Sequence, residues 1–348
     1  MLEAAPGGFL SALPAWQGGN ALSAAACRPV RQSSGSPPSR WHALPRPSRM
    51  DMIDTFQHHR PRLLALAYRL LGSRTDAEDV VQDAWLRWAG ADTAAIADPE
   101  AWLVTATTRL GLDRLRAATR QRLDYVGPWL PEPLHIAADL PPTPDPAQVH
   151  ALTEDVSLAF LALLEQLGPE ERAAFLLKEV FDHDYAVIAS LLGHSEANCR
   201  QLVHRARRRL QEGRPRFTAD AGQHRRLLAR FMEASQQGDS TTLQALLHAN
   251  AQLVSDGGGV VTAAIRPLLG AERIGQLFWA IARRGGTYPA RLGSVNGEPA
   301  ILRFDGDRLH SVTTIVVDGD RIARIYSVLN PRKLQALVTA GDTGASLQ

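Results

Sequence analysis

The stretch GHSEANCRQLVHRARRRL, Gly193–Leu210, holds five arginines, two histidines and one glutamate, in a chain of 348 residues whose formal net charge is only +2. Wound as a helix at 100° per residue, it sets Cys199, Leu202, Val203, Ala206 and Leu210 within about 60° of one direction, a stripe fit for burial. Asn198, Arg200, Gln201, His204, Arg205, Arg207 and Arg208 take the opposite arc. Gly193 suits the left-handed conformation that ends a preceding helix. Ser195 is a good N-cap, and Glu196 suits the positive end of the helix dipole. Upstream, DYAVIASLL (Asp184–Leu192) reads as a short helix with Ala186, Ile188, Ala189 and Leu192 turned inward. Two short helices joined by a Gly-containing turn, the second one basic, make the pattern of a helix-turn-helix. A basic helix also serves as a plain solvated face. The tight turn, the capped start and the base-reading types Asn198, Arg200 and Gln201 argue instead for nucleic acid. Cys199 lies in the apolar stripe and reads as a small core residue, not a nucleophile.

The length allows two or three domains. A hydrophobic fraction of 45% is ordinary for a soluble globular protein. The near-neutral balance makes the positive charge local. Cys27 and Cys199 lie far apart and fit a reducing compartment. No CxxC or His/Cys cluster with zinc spacing is present, so no metal or cofactor is expected. No apolar run reaches the roughly 18 residues of a membrane span. The stretch Met1–Cys27 has no Lys or Arg and is broken by Gly and Pro, which argues against a secretory signal. A cytoplasmic protein is expected.

Residues 1–49 are rich in Ala, Gly, Pro and Ser and read as disordered; Met50 or Met52 would serve as an alternative start. From Thr55 onward the pattern is helical, with Leu63, Leu64, Ala67 and Leu71 in one stripe. Gly72-Ser73 closes that helix. TDAEDVVQDAWLRW follows, with Thr75 and Glu78 as a capping box. Ala77, Val80, Val81, Ala84, Trp85 and Trp88 share its inner face; Glu78, Asp79, Gln82 and Asp83 lie off it. After GADTAAIADP, Asp98 caps a third helix and Pro99 fits its first turn. That helix becomes basic (Arg109, Arg114, Arg116, Arg120, Arg122). Gly111 weakens it by about 1 kcal/mol relative to Ala, and Arg109 and Asp113 have pairing distance at i, i+4. Residues 124–149 form a Pro-rich linker in which Tyr125, Trp129 and Leu130 are docking candidates. Residues 150–212 return to helix, with Ala173, Phe175, Leu176 and Val180 packing, and end in the helix-turn-helix. A hinge at 211–219 holds Gly213 and Pro215. Beyond it come helices near 221–237 and 240–248 and then strand-like segments: AQLVSD, GGGVVTAAI, PARLGSV, PAILRF, LHSVTTIVV and RIARIYSVL. The amphipathic LGAERIGQLFWAIARR interrupts them. Asn296-Gly297, Asp305-Gly306 and Asp318-Gly319 are hairpin signals. An α+β domain over 213–340 is expected.

DAEDVVQDAWLRW, PEAWLVTATTRLGLDRLR and LLEQLGPEERAAFLLKEVFDHDYAVIASLLGHSEANCRQLVHRARRRL, in that order, resemble a sigma-70 family factor of the extracytoplasmic-function type over about 55–210. YVGPWLPEPL, DGGG at Asp256–Gly259, NGEPA at Asn296–Ala300 and NPRKL at Asn330–Leu334 resemble the branch that carries a fused SnoaL-like domain. The fold this implies is multidomain: two all-α sigma domains over 50–123 and 150–212, then a SnoaL-like α+β cone with a curved sheet around helices. The resemblance implies that Glu78, Asp79, Gln82 and Asp83 meet the clamp helices of core RNA polymerase. It implies that the Gly90–Asp98 loop and the helix bearing Arg109, Arg116 and Arg120 open and hold the −10 promoter element. The helix-turn-helix would read the −35 element. Asn198, Arg200, Gln201 and His204 would lie nearest the bases, and Arg205, Arg207 and Arg208 on phosphates. Arg214 and Arg216 extend the basic cluster into the hinge. The C-terminal domain would regulate in cis through Tyr125, Trp129, Asp256 and Asn330, without a separate anti-sigma protein, and a small molecule in its cavity would be a candidate ligand.

Two other readings stay open. One is a stand-alone helix-turn-helix regulator, which would not need the clamp-docking and −10 helices. The other is an enzyme built on the C-terminal domain. Asp256, His310, Tyr326 and Trp279 are pocket candidates by type, but no spacing forces a catalytic pair. The plainer reading makes Asp256–Gly259 a tight turn and Trp279 core, so no enzymatic activity is expected.

Overall fold

The computed structural model describes residues 49–134, 136–137, 156–212 and 221–338. The expectation of disorder before residue 49 and the hinge arginines Arg214 and Arg216 lie outside the described residues.

Three helices form the first unit: α1 (Arg49–Leu71), α2 (Arg74–Ala89) and α3 (Pro99–Gln121). Their apolar faces meet as the heptad-like spacing demands. Ala77, Val80, Val81, Ala84 and Trp88 are buried on α2, and Leu103, Val104, Leu112 and Leu115 on α3. Trp88 donates its indole N–H to the Met52 carbonyl at 3.0 Å and tilts against Trp102, which ties both outer helices to α2. Gly111 allows the closest approach: a Cβ there would stand 2.7 Å from Leu70 Cδ2. Two local expectations are corrected. The α2 cap is Ser73, whose Oγ accepts from Asp76 N, rather than Thr75; Glu78 turns instead to Arg74 at 2.9 Å. Asp113 pairs with Arg116 at i, i+3 and not with Arg109.

The second helical unit holds α4 (Leu158–Leu164), α5 (Pro169–Glu179), α6 (Tyr185–Leu192) and α7 (Glu196–Glu212). Gly193 closes α6 at φ 69, and Ser195 Oγ accepts from Asn198 N at 3.2 Å. Cys199, Leu202, Val203, Ala206 and Leu210 are all buried on α7. On α6 the inward set includes Leu191, whereas Ala186 is exposed, because the turn at Asp184 starts the helix facing solvent. The two helical units share one core, in which α1 is covered on most sides.

The C-terminal domain begins with α8 (Ala221–Gln237) and α9 (Ser240–Leu246). Its seven strands are β1 (Ile136–Ala137), β2 (Leu247–Asp256), β3 (Leu268–Leu269), β4 (Ala290–Val295), β5 (Glu298–Asp305), β6 (Arg308–Asp318) and β7 (Arg321–Val328), in the order β1-β4-β5-β6-β7-β2-β3. Only the β2–β7 pair is parallel. The linker thus supplies β1, an edge strand that pairs Ile136 with Val295. Strand alternation splits the sheet. One face (Leu253, Ile301, Ile315, Ile325) packs on α8, α9 and α10 (Ala271–Arg283). The other (Val295, Leu302, Val312, Tyr326, Val328) takes linker Leu130, α4 residues Leu158 and Ala162, and Leu334 of α11 (Pro331–Val338). Asn296 and Gly297 both take positive φ, 51 and 77, the geometry of a two-residue hairpin turn. The segment GGGVVTAAI is not a strand. Gly258 and Gly259 take left-handed φ, and Val260 N and Val261 N both bond to the Gly257 carbonyl. β-Branched composition misleads there because the glycines fix a turn first.

Gly193 is required by conformation alone, since a Cβ there would meet nothing within 4 Å. Gly193→Ala is expected to cost about 1–2 kcal/mol. Amide hydrogen exchange at the α6–α7 turn should quicken severalfold while α2 stays as it was.

Candidate functional site

The exposed arc of α7 carries Arg200, Gln201, His204, Arg205, Arg207 and Arg208, all open to solvent, with Asn198 half-buried at its start. Several arginines are held by acids. Arg205 and Arg209 bind the two oxygens of Glu171 at 3.0 and 2.6 Å, Arg207 binds Glu179 at 2.6 Å, and Arg200 binds Glu196 at 2.7 Å. Arg200 also lies over the Tyr185 ring. Arg208 stands 3.8 Å from Glu212 with a largely exposed side chain. The exposed pairs, Arg200 with Glu196 and Arg208 with Glu212, exchange readily for phosphate because each is worth about 1 kcal/mol or less, whereas Glu171 and Glu179 are largely buried and hold Arg205, Arg207 and Arg209 more firmly.

Arg109, Arg116 and Arg120 are exposed on α3. Arg116 reaches across to Glu170 of α5 at 2.8 Å, and Glu170 also takes His194 from the helix-turn-helix at 3.0 Å. Both partners hold the Glu170 carboxyl below its usual range, His194 most. On α2, Asp79, Gln82 and Asp83 are exposed and Glu78 is half-buried; Arg114 bridges Asp76 at 2.6 Å and Asp79 at 3.2 Å.

Tyr125, Trp129, Asp256 and Asn330 converge at one junction. Asp256 is fully buried, at the end of β2 on the face turned to the linker. Its carboxylate accepts from Tyr125 Oη at 2.6 Å, Leu130 N at 2.8 Å and Lys333 Nζ at 2.7 Å. Its carbonyl accepts from Leu329 N and Asn330 N. Asn330 Nδ2 donates to Tyr125 Oη at 2.9 Å. Lys333 also donates to the Leu130 carbonyl; burial pulls its ammonium down to about 8, with Asp256 opposing that shift. Trp129 is clasped between the Arg122 guanidinium at 3.4 Å and Lys333 Nζ at 3.9 Å, and its ring lies over Gly72, where a Cβ would come within 2.9 Å. Gly258 is equally constrained: a Cβ there would stand 2.2 Å from Asn330 Nδ2.

Two further nodes stand beside it. Tyr68 of α1 donates to the Glu132 carbonyl at 2.5 Å. Asn296 Nδ2 donates to Tyr68 Oη at 3.1 Å and to the Val156 carbonyl at 3.2 Å, while Asn296 Oδ1 accepts from Leu134 N at 2.7 Å. Arg122 and Arg172 share Glu165 and cap the last carbonyls of α1, Leu71 and Leu70, at 2.9 and 3.0 Å. Sequence reasoning named the strips, and Asn296 only as a turn and motif residue, but gave no role to Lys333, Glu132, Tyr68 or Arg172. Their signal was present only as polar residues inside YVGPWLPEPL, NGEPA and NPRKL, or within apolar runs.

The pocket candidates do not meet. Asp256 and Tyr326 face the linker side, and His310 stacks on Tyr288 at 3.8 Å at a bulge of β6. Trp279 is not core. It is 45% exposed on α10 and lines a shallow depression with Ser240, Gln276 and Ala280.

The Sigma-70 region 2 family matches residues 55–121, and the Sigma-70 region 4 family matches residues 157–210. The chain is 36% identical over 294 residues to the ECF RNA polymerase sigma factor SigJ of Mycobacterium tuberculosis, covering 81% of this chain and 92% of that protein. It is 34% identical over 285 residues to the probable ECF RNA polymerase sigma factor SigI of the same species, covering 80% and 93%. The crystal structure of M. tuberculosis SigJ superimposes with a TM-score of 0.65 at 34% identity, covering 82% of this chain and 99% of that one. With the α2 and α3 faces, the helix-turn-helix and the C-terminal sheet in the matching order, the chain belongs to the sigma-70 family as an RNA polymerase sigma factor of the extracytoplasmic-function type, which directs the polymerase to promoters.

Proposed function

We propose that the C-terminal domain is a built-in restraint on this sigma factor, acting through the linker at Asp256. The supporting observation is that one buried carboxylate of the sheet is satisfied by the linker (Tyr125, Leu130) and by Lys333 of α11 together. Region 2 spans 50–123 and region 4 spans 150–212, joined by the linker 124–149, with the regulatory domain over 213–340. Promoter elements at −10 and −35 lie roughly 25 base pairs apart, about 85 Å at about 3.4 Å per pair. Here Arg116 of the −10 helix touches Glu170 beside the −35 reader at 2.8 Å. Both elements cannot be read in that arrangement, so promoter binding requires the two helical units to part, and the linker held at Asp256 resists it. No separate anti-sigma protein is needed for that restraint. The C-terminal domain has a SnoaL-like cone architecture and regulates rather than catalyses, since the Asp256 carboxylate is fully taken up by Tyr125, Leu130 and Lys333 while His310 stacks on Tyr288.

Within this reading, Glu78, Asp79, Gln82 and Asp83 dock on the clamp helices of core polymerase. Arg109, Arg116 and Arg120 hold the −10 strand. Asn198, Arg200, Gln201 and His204 read −35 bases, and Arg205, Arg207 and Arg208 grip phosphates. Gln201→Ala is therefore expected to change sequence preference in binding-site selection. Arg208→Ala should weaken all promoters alike and reduce the salt slope of binding by about 1.

Asp256→Ala leaves the Lys333 ammonium buried without its counter-charge, a change that costs about 3–5 kcal/mol in comparable sites. Run-off transcription with core polymerase and limiting sigma factor should rise severalfold in this variant. Transcript equal to or below the native level, with helical units still folded by circular dichroism, would overturn the restraint.

Glu298 gives a pH signature. It lies on the linker-side face of β5, near Ser157, the N-cap of α4; burial pushes its carboxyl up to about 7, and the Ser157 hydroxyl opposes this. Its Oε2 has no partner. A folded pKa raised above the unfolded value means stability is lost as pH climbs from the ordinary carboxyl range through about 7. Glu298→Gln should melt higher than the native chain at about pH 8 and alike at about pH 4, by on the order of 1–3 kcal/mol at the higher value.

A further inference from the structure

The helix-side face of the C-terminal sheet is apolar over most of its length and polar at one end. Ser255, Ser327 and Thr313 are register partners across β2, β7 and β6, and Ser311 faces Arg303 between β6 and β5. Alternation from Leu253, Ile325, Ile315 and Ile301, which pack on the helices, turns all five toward α8. There Arg303 donates from Nη1 to Thr313 Oγ1 at 3.1 Å and from Nη2 to Ser235 Oγ at 2.9 Å, and Thr313 Oγ1 lies 3.0 Å from Ser327 Oγ. Ser235, Ser255, Ser311 and Thr313 are buried.

A guanidinium in such a place normally carries a carboxylate, because an uncompensated buried charge is costly. No carboxylate among the described residues pairs with Arg303. Burial alone pulls its guanidinium down to about 10, with no acid opposing the shift. Two of its five N–H groups are used by the two hydroxyls. Among the described residues no hydrogen bond engages its Nε, and the residue as a whole is only half-buried. The protein therefore keeps one cation, ringed by hydroxyls and beside an apolar core, with directed donors left over.

We propose that this end of the C-terminal domain binds a small organic monocarboxylate, its carboxylate paired with Arg303 and oriented by the Thr313–Ser327 hydroxyl pair, while Ser235, whose hydroxyl donates to the Met232 carbonyl at 2.8 Å, holds the guanidinium in place. A single planar guanidinium matches the fork of one carboxylate. A phosphate dianion would call for more than one positive charge. Ala290, the register partner of Arg303, and Leu292 beside it on the same face are only partly buried and offer a surface for a hydrocarbon body. Occupancy of this site stands apart from the restraint at Asp256, which lies on the opposite face of the sheet, and either can fail without the other.

The test is calorimetric titration of the full chain with propionate and benzoate, and with benzamide and inorganic phosphate as comparisons. Saturable one-to-one binding of a carboxylate is expected, with none by benzamide or phosphate. Arg303→Gln should weaken it by about tenfold or more, the loss of a charge-assisted pair; Trp279→Ala, on the far side of α10, should leave it unchanged. If Arg303→Gln fails to fold by circular dichroism, Ser235→Ala and Ser327→Ala take its place, each expected to weaken binding severalfold. No saturable carboxylate binding, equal binding by the substituted chains, or phosphate binding in its stead would each overturn the proposal.

Discussion

The Asp256 carboxylate sits where water cannot reach it, and that fact organises the molecule. A buried charge is tolerable only when its lone pairs are met. Here a linker phenol, a linker amide and an ammonium from the last helix meet them. Those groups lie 131, 126 and 77 residues from Asp256 in sequence, so the charge can be satisfied only in the assembled state. Gly258 and Asn330 pack so closely beside it that no side chain fits between them. The linker is consequently not a tether. It is a strip of the C-terminal domain's surface, continued as an added edge strand at Ile136–Ala137.

From that strip the helical units inherit their arrangement. Trp129 lies on Gly72 at the end of α1, and Glu132 meets Ser73 and the Arg74 amide at the start of α2. Tyr68, Glu132 and Asn296 then chain the first helix, the linker and a hairpin of the sheet in one hydrogen-bonded line. Region 2 and region 4 also touch directly, through Arg116 with Glu170 and through the Arg122–Glu165–Arg172 cluster. The exposed bonds among these are weak and exchangeable. The buried ones are not, because breaking them strands a charge. Under the restraint proposed above, such a molecule would switch between docked and released arrangements rather than drift between them.

Much of the fold was legible because it rests on local rules. The α7 stripe from Cys199 to Leu210, the left-handed Gly193 and the caps at Ser195 and Asp98 depend on neighbours a few residues away. The Asn296-Gly297 turn follows from the positive φ that those residues accept. The misreadings were local too, where two rules competed: Ser73 won the cap over Thr75, and the Gly257–Gly259 turn overrode the β-branched residues after it. Trp279 shows a different limit, since an amphipathic pattern says which residues share a face and not how deeply that face is covered.

The sequence by itself determined the secondary elements, their order and the character of each surface: acidic on α2, basic on α3 and α7, apolar between. Family-specific motifs also marked YVGPWLPEPL, Asp256–Gly259 and NPRKL as places of contact. Only the tertiary structure decided what touches what. It made Lys333 the partner of Asp256, set Glu170 between Arg116 and His194, and left Arg303 half-buried with no acid beside it among the described residues. The reason is physical. Periodicity and capping are properties of a few consecutive residues, whereas the cost of burying a charge depends on groups brought together from distant parts of the chain, and no local pattern encodes that meeting.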